Sequence, residues 1–445
     1  IDPTEPFFFQ IVRGDEDRVL LSLKDGGVCI DPLSRSSPNT FCDFVPAPLL
    51  TMGITILDGD GQPSFLDVDP TDLTSGIYNP SDRLNPYKHY TTIQSMYCTG
   101  DFHLGDNDGE FEGTGVPRRQ FGRNNVLSTL EWMELNTDDS SPGHFPSELT
   151  ALVFAGTSGG AAGVPYWADV VLRRFPAEAS AVLIDSGLTP TPFPFGQEAG
   201  FTFASLALGP PGIVNAFCGA VDCANPTTPE EAGLCQLCTI ITWTNLNICD
   251  SGLLNGYPEL MSLCMASQLE GYDVIRAVAN RHPDAFFGII GSKTDIQARS
   301  GHNSFGAAIG QTLDSGFEYY QRFIQDYSQV ISPTYGRVPG SPSPSNVRFF
   351  IVDEDTDIYP DKVFSHSYLD VDYFKRTLTG GVLGSGASYY FGSIIGRIRQ
   401  QAALLGWTYR VPLFASWVDN ECVGPRVEDP VVPESTFFCP PSLGF

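Results

Sequence analysis

Residues 149–175 constrain the fold more than any other stretch of this chain. The short apolar run at 149–155 reads as a strand buried on both faces, the kind found inside a parallel sheet. It leads through Gly156-Thr157-Ser158-Gly159-Gly160 into 161–175, which reads as a helix. A strand, a glycine-rich turn and a helix around G-x-S-x-G form the context that a nucleophile elbow requires. There a serine sits on a strained turn, and small flanking residues let the backbones pass closely. With 45 glycines in the chain the five-residue pattern alone is weak, and the flanking strand and helix give it weight.

The rest of the chain repeats this alternation. Residues 18–23, 181–185, 286–291 and 347–352 read as strands, and 125–135, 305–331 and 389–405 as helices. Such alternation predicts an α/β-hydrolase-like fold: a mostly parallel central sheet with helices on both faces. The 445 residues are read as one catalytic domain, 1–445. Residues 190–270 hold six of the eleven cysteines and two proline-rich stretches, and read as a disulfide-braced cap inserted in it. Residues 43–90 and the tail from 423 are loop-rich.

Charge and cysteine content narrow the setting. The net charge of −27 would repel a polyanion, so nucleic acid is excluded as a partner. No apolar run is long enough to span a bilayer. Cysteines lie close together as Cys29 and Cys42, Cys218 and Cys223, Cys235 and Cys238, Cys249 and Cys264, Cys422 and Cys439, with Cys98 left over. These pairs read as disulfides closing loops in a secreted protein. Cys235-x-x-Cys238 has no second pair or histidine cluster to complete a zinc site. The acidic stretches 58–62 and 353–357 read as solvated loops rather than calcium sites, so neither metal nor cofactor is expected.

A serine nucleophile needs a base and an orienting acid, in this fold class in the order Ser, Asp or Glu, His. Of the six histidines, His302 and His366 fit that order best; His282 comes early for the last member. Asp295, just past the 286–291 strand, is well placed as the acid. The oxyanion hole needs backbone N–H donors. Gly159, after the serine, is one, and the Gly26-Gly27 turn after the first strand offers others. His103 precedes the serine and reads as a structural residue buttressing the active-site loop.

Several segments, in order, resemble the pectin acetylesterase/Notum family of serine carboxylesterases. They are Asp25-Gly26-Gly27-Val28-Cys29, Gly76-Ile77 through Asn85-Pro86-Tyr87, Tyr97-Cys98-Thr99-Gly100-Asp101-Phe102-His103-Leu104-Gly105, Gly122-Arg123-Asn124, the elbow from Ala155 to Gly163, and Ser292-Lys293-Thr294-Asp295-Ile296-Gln297. The third, similar to Tyr-Cys-Thr-Gly-Asp-x-His-x-Gly, is the most specific. The resemblance implies Ser158 as nucleophile, Asp295 as acid, and oxyanion donors at Gly26, Gly27 and Gly159. For the histidine, ungapped counting lands on Asp357, and a loop insertion brings His366 to the position. Asp25 stands where the family usually has glycine. The implied activity removes O-acetyl or other acyl groups from a polysaccharide or other ester substrate. The alternative is an inactive relative serving as an extracellular binding or structural protein, as a missing histidine would dictate.

Overall fold

A computed structural model describes residues 7, 9–25, 76–81, 85, 87–97, 99–110, 117–137, 144–187, 246, 248–266, 269–292, 295, 298, 319, 323, 329–332, 341–352 and 422–423. Within these, ten strands and four α-helices are formed. The strands are β1 (Phe9–Val12), β2 (Asp15–Leu23), β3 (Tyr90–Ser95), β4 (Asn107–Glu110), β5 (Pro117–Gln120), β6 (Ala151–Thr157), β7 (Ser180–Asp185), β8 (Phe286–Ser292), β9 (Val347–Val352) and β10 (Cys422–Val423). The helices are α1 (Gly122–Leu135), α2 (Ser158–Arg174), α3 (Pro258–Met265) and α4 (Gly271–Arg281).

Eight strands form one sheet in the order β1-β3-β2-β6-β7-β8-β9-β10. Only the β1–β3 pairing is antiparallel; every other neighbour runs parallel. β4 and β5 form a separate antiparallel pair. Every residue of β3 and β6 is buried, as are Val19–Leu23 of β2. Because successive side chains of a strand point to opposite faces, this burial means that both faces of the sheet are covered. The α/β class expected from the alternation is the class observed.

β6 was expected at 149–155 and lies two residues later; α2 begins at Ser158 itself rather than at 161. α2 is buried from Gly159 to Leu172 apart from Ala162, so it is an internal helix packed on β6 and β7. Its apolar side chains join one core cluster with Leu21, Leu23, Phe154, Val182, Ile289 and Val330. Full burial explains why its ends were hard to read: a helix apolar all round carries little periodic signal.

Of the expected cap, residues 246, 248–266 and 269–270 are described, and the remainder lies outside the described residues. Leu246, Ile248, Leu253, Leu254 and Leu260 belong to the main core. Cys249 and Cys264 form the expected disulfide, closing a loop with a sequence separation of 15. Of the other expected pairs, Cys422 falls in β10 while its expected partner Cys439 and the remaining cysteines lie outside the described residues, as does the expected helix at 389–405. Arg276 of α4 is buried and donates to the carbonyls of Gln329, Val330, Ser332 and Ser341, which ties the chain leading into β9 to this helix.

Candidate active site

The connections of β2 and β6 leave in opposite directions. β2 pairs with β6 on one side, and its successor β3 lies on the other. β6 is followed by β7 on its far side. Two neighbouring parallel strands whose chains depart to opposite sides leave a crevice beyond their carboxyl ends, the usual ligand position in open α/β sheets. Leu23 pairs with Gly156, so Lys24-Asp25 and Thr157-Ser158 leave the sheet side by side at that crevice.

Ser158 occupies it with φ at +48°. A left-handed backbone at a residue with a Cβ costs on the order of 1–3 kcal/mol and persists only where the surroundings enforce it. The surroundings here are glycines. A Cβ on Gly156 would sit 2.7 Å from Val164 Cγ2 and 2.8 Å from the Ala161 amide nitrogen. One on Gly160 would sit 2.6 Å from the Lys24 carbonyl oxygen and collide with that of Leu23. The first turn of α2 thus lies backbone against backbone on the end of β2, and only glycine permits it. Thr157 makes no side-chain cap, so the first-turn N–H groups, Gly159 among them, converge at the positive end of the helix beside Ser158.

Asp295 lies past the end of β8, two strands from β6. Its side chain is buried, and its Oδ1 accepts the Ala298 N–H at 2.8 Å, the geometry of a cap on the helical turn that follows. Gly26, Gly27, His302, Asp357 and His366 lie outside the described residues. Asp25, which stands where the family usually has glycine, lies with its Oδ1 3.6 Å from Lys24 Nζ.

The 97–105 segment packs against this crevice. His103 is buried, and its Nε2 lies 2.9 Å from the Lys24 carbonyl oxygen; a carbonyl only accepts, so Nε2 carries the proton. Burial holds its pKa down at about 4, against a weaker pull upward from that hydrogen bond. Trp167 Nε1 of α2 donates to the His103 carbonyl at 2.9 Å. Asp101 is buried beside it. Its Oδ1 accepts from Thr99 Oγ1 at 2.6 Å and from the His103 N–H at 3.1 Å, and its Oδ2 from the Gly122 N–H at 2.8 Å. Burial pushes Asp101 up to about 6 despite these donors. Phe102 and His103 both have left-handed backbones, φ +58° and +59°. His103 is the buttress its place in the chain suggested.

Two features had no clear sequence signal. Ser186, at the end of β7 beside β6, is also left-handed at φ +55°, and a Cβ on the adjacent Gly187 would meet the Ala161 and Ala162 backbone at 2.5 and 2.6 Å. A second strained serine turn therefore packs on the first turn of α2. The other feature is Asp169, a buried carboxylate on α2. It accepts from Tyr257 Oη at 3.0 Å and Arg173 Nε at 2.9 Å, and His282 Nε2 lies 2.8 Å from it. Burial acts to raise its pKa, but His282, Tyr257 and Arg173 outweigh that and hold it near 2. This His–Asp pair stands eleven residues along α2 from Ser158, roughly 16 Å at 1.5 Å per residue. It is a packing cluster between α2 and α4, which disposes of His282 as a partner for Ser158. Among the described residues no group of three His, Cys, Asp or Glu side chains gathers as a metal site, and no helix is long and apolar enough to cross a membrane.

The chain is thus an α/β protein with a strained serine turn at the switch point of a parallel sheet. No protein-family model matches it, and no curated protein matches it. Among solved structures, it is similar to the Wnt deacylase Notum from Drosophila, with 14% sequence identity, 78% of each chain covered and a TM-score of 0.38.

Proposed function

We propose that this chain is a secreted serine carboxylesterase that works through an acyl-enzyme at Ser158. The observation that carries the reading is the left-handed Ser158 at the β2/β6 crevice, with Gly160 seated on the β2 backbone. A fold gains nothing from that strain, whereas a nucleophile gains an exposed hydroxyl beside helix N–H donors.

In this reading Ser158 Oγ attacks the ester carbonyl carbon while His366 takes its proton. Asp295 orients the imidazole and offsets the charge it acquires. The carbonyl oxygen becomes an anion held by the N–H of Gly159 and by donors of the Gly26-Gly27 turn. Collapse expels the alcohol, which takes the proton from His366. Water then repeats the sequence on the acyl-enzyme and frees the carboxylic acid. The substrate class is an O-acetylated, or otherwise acylated, polysaccharide or glycoconjugate. The Cys249–Cys264 disulfide supports an oxidising, extracellular setting.

A fluorophosphonate probe tests the reading. The expected result is labelling of Ser158 in the folded protein, lost in S158A and in H366A. Folded wild-type protein that does not label would overturn the enzyme and favour a binding or structural role.

A further inference from the structure

We infer that a cavity at the amino end of β6 binds a single neutral pyranose ring. It is a second site, independent of any chemistry at Ser158. α2 measures the separation. Ser158 opens that helix and Arg174, on the cavity wall, closes it, roughly 24 Å away at 1.5 Å per residue.

The cavity encloses about 210 Å³ between the carboxyl ends of α1 and α2 and the 145–149 segment. One water takes about 30 Å³ of liquid, and a drug-sized ligand fills roughly 300–1,000 Å³. The space therefore suits one six-membered ring with its hydroxyls. Its floor is made by Met133, Phe145, Leu149 and Phe175, all buried in the main core. Its solvent-facing rim carries Glu134, Thr137 and Arg174. The walls are tied down at both ends. The Phe145 N–H donates to the Asn136 carbonyl past α1 at 2.9 Å, and the Leu149 N–H to the Pro176 carbonyl past α2 at 3.0 Å. Trp132 packs edge-on against the Phe145 ring with centroids 6.1 Å apart, and the Arg13 guanidinium lies 5.5 Å from that ring's centre. A wall built this way has little left to order when a ligand enters.

The rim selects the ligand class. Arg174 Nη1 and Glu134 Oε2 stand 3.6 Å apart, too far for a hydrogen bond, and the buried Nη1 has no acceptor among the described residues. A guanidinium only donates and a carboxylate only accepts. A hydroxyl seated between them does both, accepting from one and donating to the other. A carboxylate ligand would face Glu134, and an ammonium would face Arg174; a neutral polyol is opposed by neither. Thr137 Oγ1 donates to the Met133 carbonyl at 3.1 Å, so what it offers a ligand is a lone pair for a further hydroxyl. A pyranose carries C–H groups on a ring face and hydroxyls around its edge, which matches an apolar floor beneath a polar rim. A mere packing void is apolar throughout and would not have a charged pair at its mouth.

Saturation-transfer NMR tests this, with the methyl β-pyranosides of glucose, galactose and mannose titrated against wild type, S158A, R174M and E134Q. At least one glycoside is expected to bind, with saturation strongest on the hydrogens of one ring face, and equally well to wild type and S158A. Losing a charged partner of a hydroxyl typically weakens binding about tenfold. R174M is expected to show that loss, and E134Q a smaller one because its amide oxygen still accepts. The matching uronate is expected to bind about tenfold more weakly than the neutral sugar. Cellobiose binding as well as the methyl glucoside would mark a glycan end as the source, and its exclusion a free sugar; either keeps the site. Both rim side chains are partly exposed, so the variants should fold, which their urea midpoints verify. Binding of none of the three glycosides, undiminished binding to folded R174M and E134Q, or preference for the uronate would overturn the inference. Loss of binding in folded S158A would place the sugar at the crevice instead and overturn it too. Failure of Ser158 to take a fluorophosphonate would leave the inference standing, since no part of it uses that serine.

Discussion

Asp101 and His103 are two buried titratable groups, two residues apart, displaced in opposite directions. The structure therefore predicts opposite effects of acid on two single variants. His103 has a folded pKa of about 4 against an ordinary 6.5. Between those values the unfolded chain binds the extra proton, so this group's contribution is full above pH 6.5 and is lost as pH falls toward 4. At 1.36 kcal/mol per unit the loss is about 3 kcal/mol. Asp101 moves the other way, from 3.8 up to about 6. There the folded state binds the proton first, so its contribution is present at low pH and lost as pH rises from 3.8 through 6, again by about 3 kcal/mol. The two nearly cancel in the wild type over most of that range.

The variants separate them. H103Q keeps a hydrogen-bond donor without titrating; relative to wild type it is expected to gain about 3 kcal/mol as pH drops from 6.5 to 4. D101N keeps the shape without the ionisation; relative to wild type it is expected to lose about 3 kcal/mol over the range from 6 to 4, on top of a constant penalty for turning an amide N–H toward the Gly122 N–H. The assay is urea denaturation followed by tryptophan fluorescence, read as the difference from wild type at each pH. Differencing removes the general acid response of a chain with net charge −27. Two difference curves of the same sign, or two flat ones, would refute the claim that burial sets both protonation states.

Three further outcomes are expected. G160A forces a Cβ between the Leu23 and Lys24 carbonyls, which cannot give way as a side chain would; it should cost at least 1–3 kcal/mol in urea unfolding, as overpacking typically does (~), and abolish fluorophosphonate labelling. D169N removes a charge that His282, Arg173 and Arg281 face, so it should lower stability by about 2–4 kcal/mol at pH 7, while the protein that remains folded labels at Ser158 at the wild-type rate. The double variant C249S/C264S opens a loop with a sequence separation of 15 and should lose about 3 kcal/mol in chemical denaturation, and reduction of the wild type should reproduce much of that loss.

The sequence by itself determined the elements whose signal is local. The strands at Ala151–Thr157, Ser180–Asp185, Phe286–Ser292 and Val347–Val352 are short apolar runs, and parallel strands buried on both faces must be so. The left-handed turn at Ser158 was legible because such a turn needs glycine at fixed offsets, and glycine is visible in sequence. β3 escaped because Tyr-Thr-Thr-Ile-Gln-Ser carries its polar residues into a buried strand, where Ser95 meets Thr129 and neighbouring backbone takes up the hydrogen bonds. α4 has a clear apolar face but lies between the expected insertion at 190–270 and the expected strand at 286–291, where no element was expected, and nothing local reports that Arg276 clamps chain more than fifty residues away. Only the tertiary structure showed which groups His103 and His282 bind. His103 gains its meaning from a carbonyl 79 positions back, and His282 from a carboxylate 113 positions back. A hydrogen bond across such separations leaves no pattern in sequence, because it is made by strand order and helix packing rather than by spacing along the chain. The same holds at Ser158: glycine spacing marks the turn, but only the order β3-β2-β6-β7 sets that turn at the crevice where a substrate would lie.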